Sequence, residues 1–226
     1  MVKAVISLTS WKKRIQLVPN TIRSLLNDNF HIVLVLSEDE FPERNVDLPQ
    51  QDVEILWVKG NPKSFKKVLY TMQRYPDLPV ISVDDDAIYA DGFADDMYAM
   101  YMKYPHSVIS NFPNVKTGGI RLPNGYCTLY PAHCMDGALE ALTGPIIATN
   151  NDDGFYGVWL TMKNMDFRYL MRRDVAVFCD DGNGMGVNQL YKAGNADIKI
   201  IISELKKQGK LYSDNELFMK KWGYKV

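Results

Sequence analysis

Apolar residues in the first hundred positions fall into two alternating rhythms. Ala4 to Leu8 is a short apolar run with the look of a strand, followed by the polar turn Thr9-Ser10-Trp11-Lys12-Lys13-Arg14. Apolar residues then recur at Ile15, Val18, Ile22, Leu25 and Leu26, the three-to-four spacing of one helical face. Ile32-Val33-Leu34-Val35-Leu36 predicts a second buried strand, ended by Ser37-Glu38-Asp39. Val53 to Val58 predicts a third, closed by Gly60-Asn61-Pro62. Phe65, Val68, Leu69 and Met72 mark a helix that Tyr75-Pro76 terminates. Val80-Ile81-Ser82-Val83 predicts a fourth strand, and it runs straight into three carboxylates, Asp84-Asp85-Asp86.

Continuous apolar strands separated by helices predict an α/β fold with a mostly parallel sheet covered on both faces. Ligands of such sheets bind beyond the carboxyl ends of the strands. The turns after Leu8, Leu36, Val58 and Val83 are expected to gather there, bringing Thr9, Ser10, Trp11, Arg14, Ser37, Glu38, Lys63 and the aspartates together. The second half is less regular. Phe93, Met97, Met100 and Tyr101 recur at helical spacing and read as core. Asn111 to Pro131, rich in Gly, Pro and Asn, predicts a long functional loop. Asp152-Asp153-Gly154 leads into a helical face of Phe155, Val158, Trp159 and Met162. Asp180 to Gly186 reads as a flexible stretch, and Ile198, Ile201, Ile202 and Leu205 as a helix. Ser213-Asp214-Asn215-Glu216 is a capping box for a final helix with Leu217, Phe218 and Trp222.

Totals narrow the function. A chain of 226 residues, 46% apolar and 23% charged, can build a substantial core. No repeat or linker interrupts it, so one domain is expected. A net charge of -1 with scattered Lys and Arg argues against nucleic-acid binding. No run approaches the 18 or so apolar residues of a membrane span, and the N-terminal run is too short for a signal peptide. Three cysteines without CxxC spacing suit a reducing cytoplasm. Cys127, His133 and Cys134 lack the fourth ligand and tight spacing of structural zinc.

The acidic tip carries the chemistry. Three adjacent carboxylates repel one another unless a cation holds them, and Mg²⁺ or Mn²⁺ commonly bridges one or two carboxylates to substrate phosphates. In an extended segment Asp84 and Asp86 point the same way and both can address one ion. A capped acidic turn is the plainer alternative. Asp152-Asp153 at a helix start is likewise either an N-terminal cap or a proton acceptor whose anion the helix terminus stabilises.

An apolar strand ending in Asp-x-Asp after several strand-helix units resembles the metal motif of GT-A-fold glycosyltransferases. Val5 to Ile15, Thr21 to Leu26, Lys63 to Lys67, Tyr75-Pro76-Asp77, Val83 to Tyr89 and Asp152-Asp153 are similar to small bacterial glycosyltransferases of polysaccharide and lipopolysaccharide synthesis, over roughly residues 4 to 165. The resemblance implies a GT-A (Rossmann-like) fold with a nucleotide-sugar half at about 1–105 and an irregular acceptor half at about 106–226. It implies Asp86, with Asp84, as the metal residues, and Asp84 and Asp85 in ribose or water-mediated contacts. Thr9, Ser10 and Trp11 would line the base pocket, with Arg14 and Lys63 or Lys66 near base or phosphates. Asp153, beside Asp152, would take the acceptor proton, which favours inversion. The implied cofactor is Mn²⁺ or Mg²⁺ and the implied donor a nucleotide-diphosphate sugar, with UDP the family's common choice. The acceptor would be a glycan or glycolipid, handled near the inner membrane face. Two other readings are a haloacid-dehalogenase-like phosphatase, whose motif normally lies near the N-terminus before Gly-Thr, and a catalytically silent nucleotide- or sugar-binding module.

Overall fold

The computed structural model describes residues 2–48, 53–114, 119–179 and 195–211. The stretch at 180–186 and the capping box with its final helix at 213–222 lie outside the described residues. The four expected strands form: β1 (Ala4–Thr9), β2 (Phe30–Ser37), β3 (Val53–Val58) and β4 (Val80–Ser82). They lie parallel in the order β3-β2-β1-β4. Strand alternation sorts their side chains between two cores. Ile6, Leu8, Ile32, Leu34 and Leu36 face α1 (Val18–Leu25) and α3 (Phe93–Lys103). Val5, Val33 and Val35 face α2 (Lys66–Arg74), α5 (Asp152–Met162) and α6 (Asn195–Lys207). Helices therefore cover both faces. Leu26 is the exception to the expected α1 stripe, because Leu25 ends the helix and Leu26 is 46% exposed.

The second half extends the same sheet. Next to β4 come β7 (Thr128–Tyr130), β6 (Ser107–Ser110) and β8 (Asp166–Tyr169). β7 is antiparallel to both neighbours, so the sheet is mixed, whereas β6 and β8 run parallel. The stretch from Asn111 to Pro131, expected as a loop, thus carries a buried central strand at its end. Three residues are too few for a recognisable period; pairing with β4 and β6 creates the strand. A two-stranded ribbon of β5 (Ala87–Tyr89) and β9 (Ala176–Phe178) leaves from the acidic tip. Short α4 (Gly144–Ala148) precedes α5. No helix among the described residues is long and apolar enough to cross a membrane.

The topology fixes where a ligand belongs. From β1 the chain moves to β2 and β3 on one side, then crosses back through α2 to β4 on the other. The strand order therefore switches between β1 and β4, and a crevice opens at their carboxyl ends. Ser10 follows β1 there and Asp84 follows β4.

Candidate active site

A cavity of about 510 Å³ occupies this edge. Its lining includes Thr9, Ser10, Trp11, Arg14, Lys63, Lys66 and Asp85 from the expected set, together with Glu40, Asn61, Ser64 and Asn150. Thr9 is anchored to β2 through its hydroxyl, which donates to the Val35 carbonyl at 2.7 Å. Lys13 lies over the Trp11 ring, 5.5 Å from its centroid. Two lining residues, Lys63 and Asn150, hold left-handed backbone angles (φ 51° and 53°). Asparagine tolerates this region, but for lysine it is unusual and belongs with sites where neighbours over-determine the backbone.

The acidic tip is folded differently from an extended strand end. The chain turns at Asp85 and Asp86, so the alternation that would aim Asp84 and Asp86 at one point is lost. Asp85, 1% exposed, accepts from Ser10 Oγ at 2.5 Å and from two nitrogens of Arg14. Asp86 accepts from Arg14 Nη1 at 3.0 Å. Arg14, which also lines the cavity, thus clamps Asp85 and Asp86 together, and Asp85 orients Ser10 and Arg14. Burial raises the Asp85 carboxyl against the pull of Arg14. Burial also pushes Asp86 up to about 6, with Arg14 opposing and Asp84 and Asp85 adding repulsion.

Asp84 turns the other way, toward Lys67 of α2. Lys67 Nζ donates to Asp84 Oδ1 at 2.8 Å and to the Gly125 carbonyl at 2.9 Å, and lies 4.0 Å from Asp152 Oδ2. The lysine side chain is only 4% exposed. Burial works against its charge, but Asp84 and Asp152 outweigh that and hold it above the ordinary lysine value. Asp152 and Asp153 open α5, yet neither is its cap. Asn151 takes that role, its Oδ1 accepting from the Gly154 amide at 2.8 Å. Asp152 Oδ2 and Asp153 Oδ1 are buried without a hydrogen-bond partner. Burial first, then the neighbouring Asp152, pushes the Asp153 carboxyl well above its ordinary range.

Lys66 and Lys67, adjacent in sequence, divide the labour. Lys67 joins the acids, whereas Lys66 faces the cavity. Lys66 is 3% exposed and donates to the Lys63 carbonyl at 2.9 Å. Burial draws its ammonium down to about 8. Lys67 was not among the expected site residues, because beside Lys63, Ser64, Thr71 and Arg74 it reads as part of a solvated polar helix face. In the structure Thr71, one turn on, is fully buried with it. Gly125, another addition, resembles any turn glycine in sequence. His133 bonds Asp77 and Asp136 at 3.2 Å, while Cys127 and Cys134 are buried.

Six carboxyl groups (Glu40, Asp84, Asp85, Asp86, Asp152 and Asp153) therefore meet four cations, Arg14, Lys63, Lys66 and Lys67. Among the described residues no three His, Cys, Asp or Glu side chains converge on one point. Surplus acid and hard oxygen donors suit a divalent cation completed by phosphate oxygens rather than one fully caged by protein.

No family model matches the sequence, and a search of curated proteins returns no match. Solved structures do match in three dimensions. A mannosyltransferase, PcManGT from Pyrobaculum calidifontis in complex with GDP-Man and Mn²⁺, aligns over 97% of this chain and 68% of its own (TM-score 0.58, 12% identity). S. aureus TarS 1-349 in complex with UDP aligns over 98% and 70% (TM-score 0.62, 10% identity). The chain shares its α/β, GT-A-like fold with these structures. In this GT-A-like fold the edge that carries the candidate cavity is the one where α/β sheets bind their ligands.

Proposed function

We propose that the protein transfers a sugar from a nucleotide-diphosphate sugar, with UDP as the nucleotide, to a hydroxyl of a glycan or glycolipid acceptor in surface polysaccharide or lipopolysaccharide synthesis. One observation carries this reading: carboxylates from the β4 exit and the α5 start meet at the switch-point cleft, linked through Lys67. PcManGT and TarS, whose structures hold GDP-Man with Mn²⁺ and UDP, support the donor class.

The roles follow from chemistry. Asp86 would hold Mn²⁺ or Mg²⁺, with Asp84, which faces Lys67, contributing through water-mediated contacts; the ion when bound supplies positive charge for the departing diphosphate. Thr9, Ser10 and Trp11 line the nucleotide pocket, and Lys66 supplies a positive donor to the phosphates. The acceptor oxygen forms a bond to the anomeric carbon as the bond from that carbon to the phosphate oxygen breaks. The electron pair leaves with the diphosphate, and Asp153 takes the acceptor proton. Attack from the face opposite the leaving group inverts the anomeric centre. The N-terminus of α5 and the Lys67 ammonium favour the Asp153 anion needed for this. The enzyme would act in the cytoplasm, against the inner membrane face when the acceptor is lipid-linked.

The test is turnover of UDP-sugars with Mn²⁺ by wild type and Asp86→Ala. The variant should lose at least about a hundredfold in rate while keeping its circular dichroism spectrum. Equal turnover in both proteins overturns the assignment of Asp86.

A further inference from the structure

Three acids and one lysine share an enclosed space in which every polar atom has consequences. Lys67 Nζ carries three protons and spends two, on Asp84 Oδ1 and the Gly125 carbonyl. Among the described residues the third has no partner at hydrogen-bond distance; Asp152 Oδ2, itself unpartnered there, is 4.0 Å away. Gly125 closes the cluster. A Cβ on Gly125 would stand 3.1 Å from Asp153 Oδ1 and 3.2 Å from Lys67 Nζ, so only a glycine leaves both groups their present places. Lys67 is held from behind as well: its carbonyl accepts from Ser7 Oγ, which also pairs with Thr71 at 2.7 Å. The ammonium is therefore fixed on β1 and α2 and reaches both acid groups, Asp84 after β4 and Asp152 on α5.

Resting on the glycosyltransferase reading, we propose that Lys67 is a positioning residue: its buried ammonium ties the donor-side Asp84 to the acceptor-side Asp152–Asp153 pair and sets their spacing for transfer. It touches neither reacting bond. Deleting its charge frees Asp84 and leaves the α5 carboxyls without a counter-charge, so both move from the transfer geometry. Displacements of about 1 Å cost on the order of a hundredfold in rate.

The experiment compares wild type, Lys67→Met, Lys67→Arg and Gly125→Ala for UDP-sugar turnover with Mn²⁺, and for UDP binding by calorimetry. Lys67→Met should lower kcat by about a hundredfold and change KM for the donor far less. Lys67→Arg, which keeps the charge, should recover part of kcat. Gly125→Ala keeps the lysine's charge but crowds both Lys67 Nζ and Asp153, and should also lower kcat; it decides the matter if Lys67→Met does not fold. Folded Lys67→Met with wild-type kcat, or a loss confined to KM, overturns the positioning role. So does full kcat in Gly125→Ala when Lys67→Met does not fold. A wild-type protein that neither turns over UDP-sugars nor binds UDP instead overturns the glycosyltransferase reading, and the present inference with it.

Discussion

Lysine 66 is buried where its charge is a liability to the ligand-free fold. Its ammonium titrates near 8 in the folded chain against an ordinary value of 10.5. The folded state thus binds fewer protons than the unfolded state between those values. The penalty is full below pH 8 and fades as pH rises toward 10.5. Lys66→Met should accordingly be more stable than wild type at pH 7, by up to about 3 kcal/mol, and the difference should shrink above pH 9. Urea denaturation of both proteins across this range measures it. The same variant should bind UDP about tenfold to a hundredfold more weakly at pH 7, through loss of a charged donor. A residue that destabilises the protein while serving the ligand marks a binding site. Asp153 makes the matching prediction for an acid. Its carboxyl is raised by burial and by Asp152, so turnover should fall as pH drops through a midpoint well above the ordinary carboxylate range. A rate independent of pH down to the normal aspartate region would remove Asp153 as the base.

Helix α5 carries the acids, and its position depends on two small details. Asn151 caps it, and Gly157 lets it approach the chain at 120–122. A Cβ at Gly157 would fall 2.6 Å from Leu122 Cδ2 and 2.8 Å from the Arg121 carbonyl oxygen. The carbonyl belongs to the backbone and cannot swing aside. Gly157→Ala should therefore destabilise by roughly 1–3 kcal/mol, read as a lower urea midpoint. These contacts also explain what could be read in the sequence. β1 to β3 were legible as continuous apolar runs, and α1 and α2 by their apolar faces at helical spacing. β4 was legible because the acids mark its exit. β6, β7 and β8 have three or four residues each, too few for a period, and only pairing across the sheet defines them. Of the cavity lining, Thr9, Ser10, Trp11, Arg14, Lys63, Lys66 and Asp85 were legible because they follow predicted strands in order, whereas Glu40, Asn61, Ser64 and Asn150 were not among the expected residues. Lys67 was not, because its burial arises from Gly125 and α5, both distant in sequence. The shared aim of Asp84 and Asp86 failed for a local reason: the backbone turns at Asp85, whose carboxylate is drawn inward by Ser10 and Arg14.

At the level of the whole molecule, the site is a charge imbalance built into the sheet's switch point. Acids arrive both from the β4 exit and from the start of α5, so the imbalance draws on both halves of the chain. UDP alone would set its diphosphate beside the surplus carboxylates of the β4 exit and the α5 start. Mn²⁺ alone would find no three converging side-chain ligands among the described residues. Each component supplies what the other lacks, which predicts cooperative binding. At a hundredfold excess over its dissociation constant, a ligand stabilises the fold by about 2.7 kcal/mol, and at this chain length that corresponds to roughly 5–10 °C in Tm. UDP and Mn²⁺ together should therefore raise Tm by more than the sum of their separate shifts, and EDTA should abolish the excess. Asp86→Ala should remove the cooperativity but keep a residual UDP shift from the cavity wall. If UDP gives its full shift in EDTA, the acidic tip serves the fold rather than a metal.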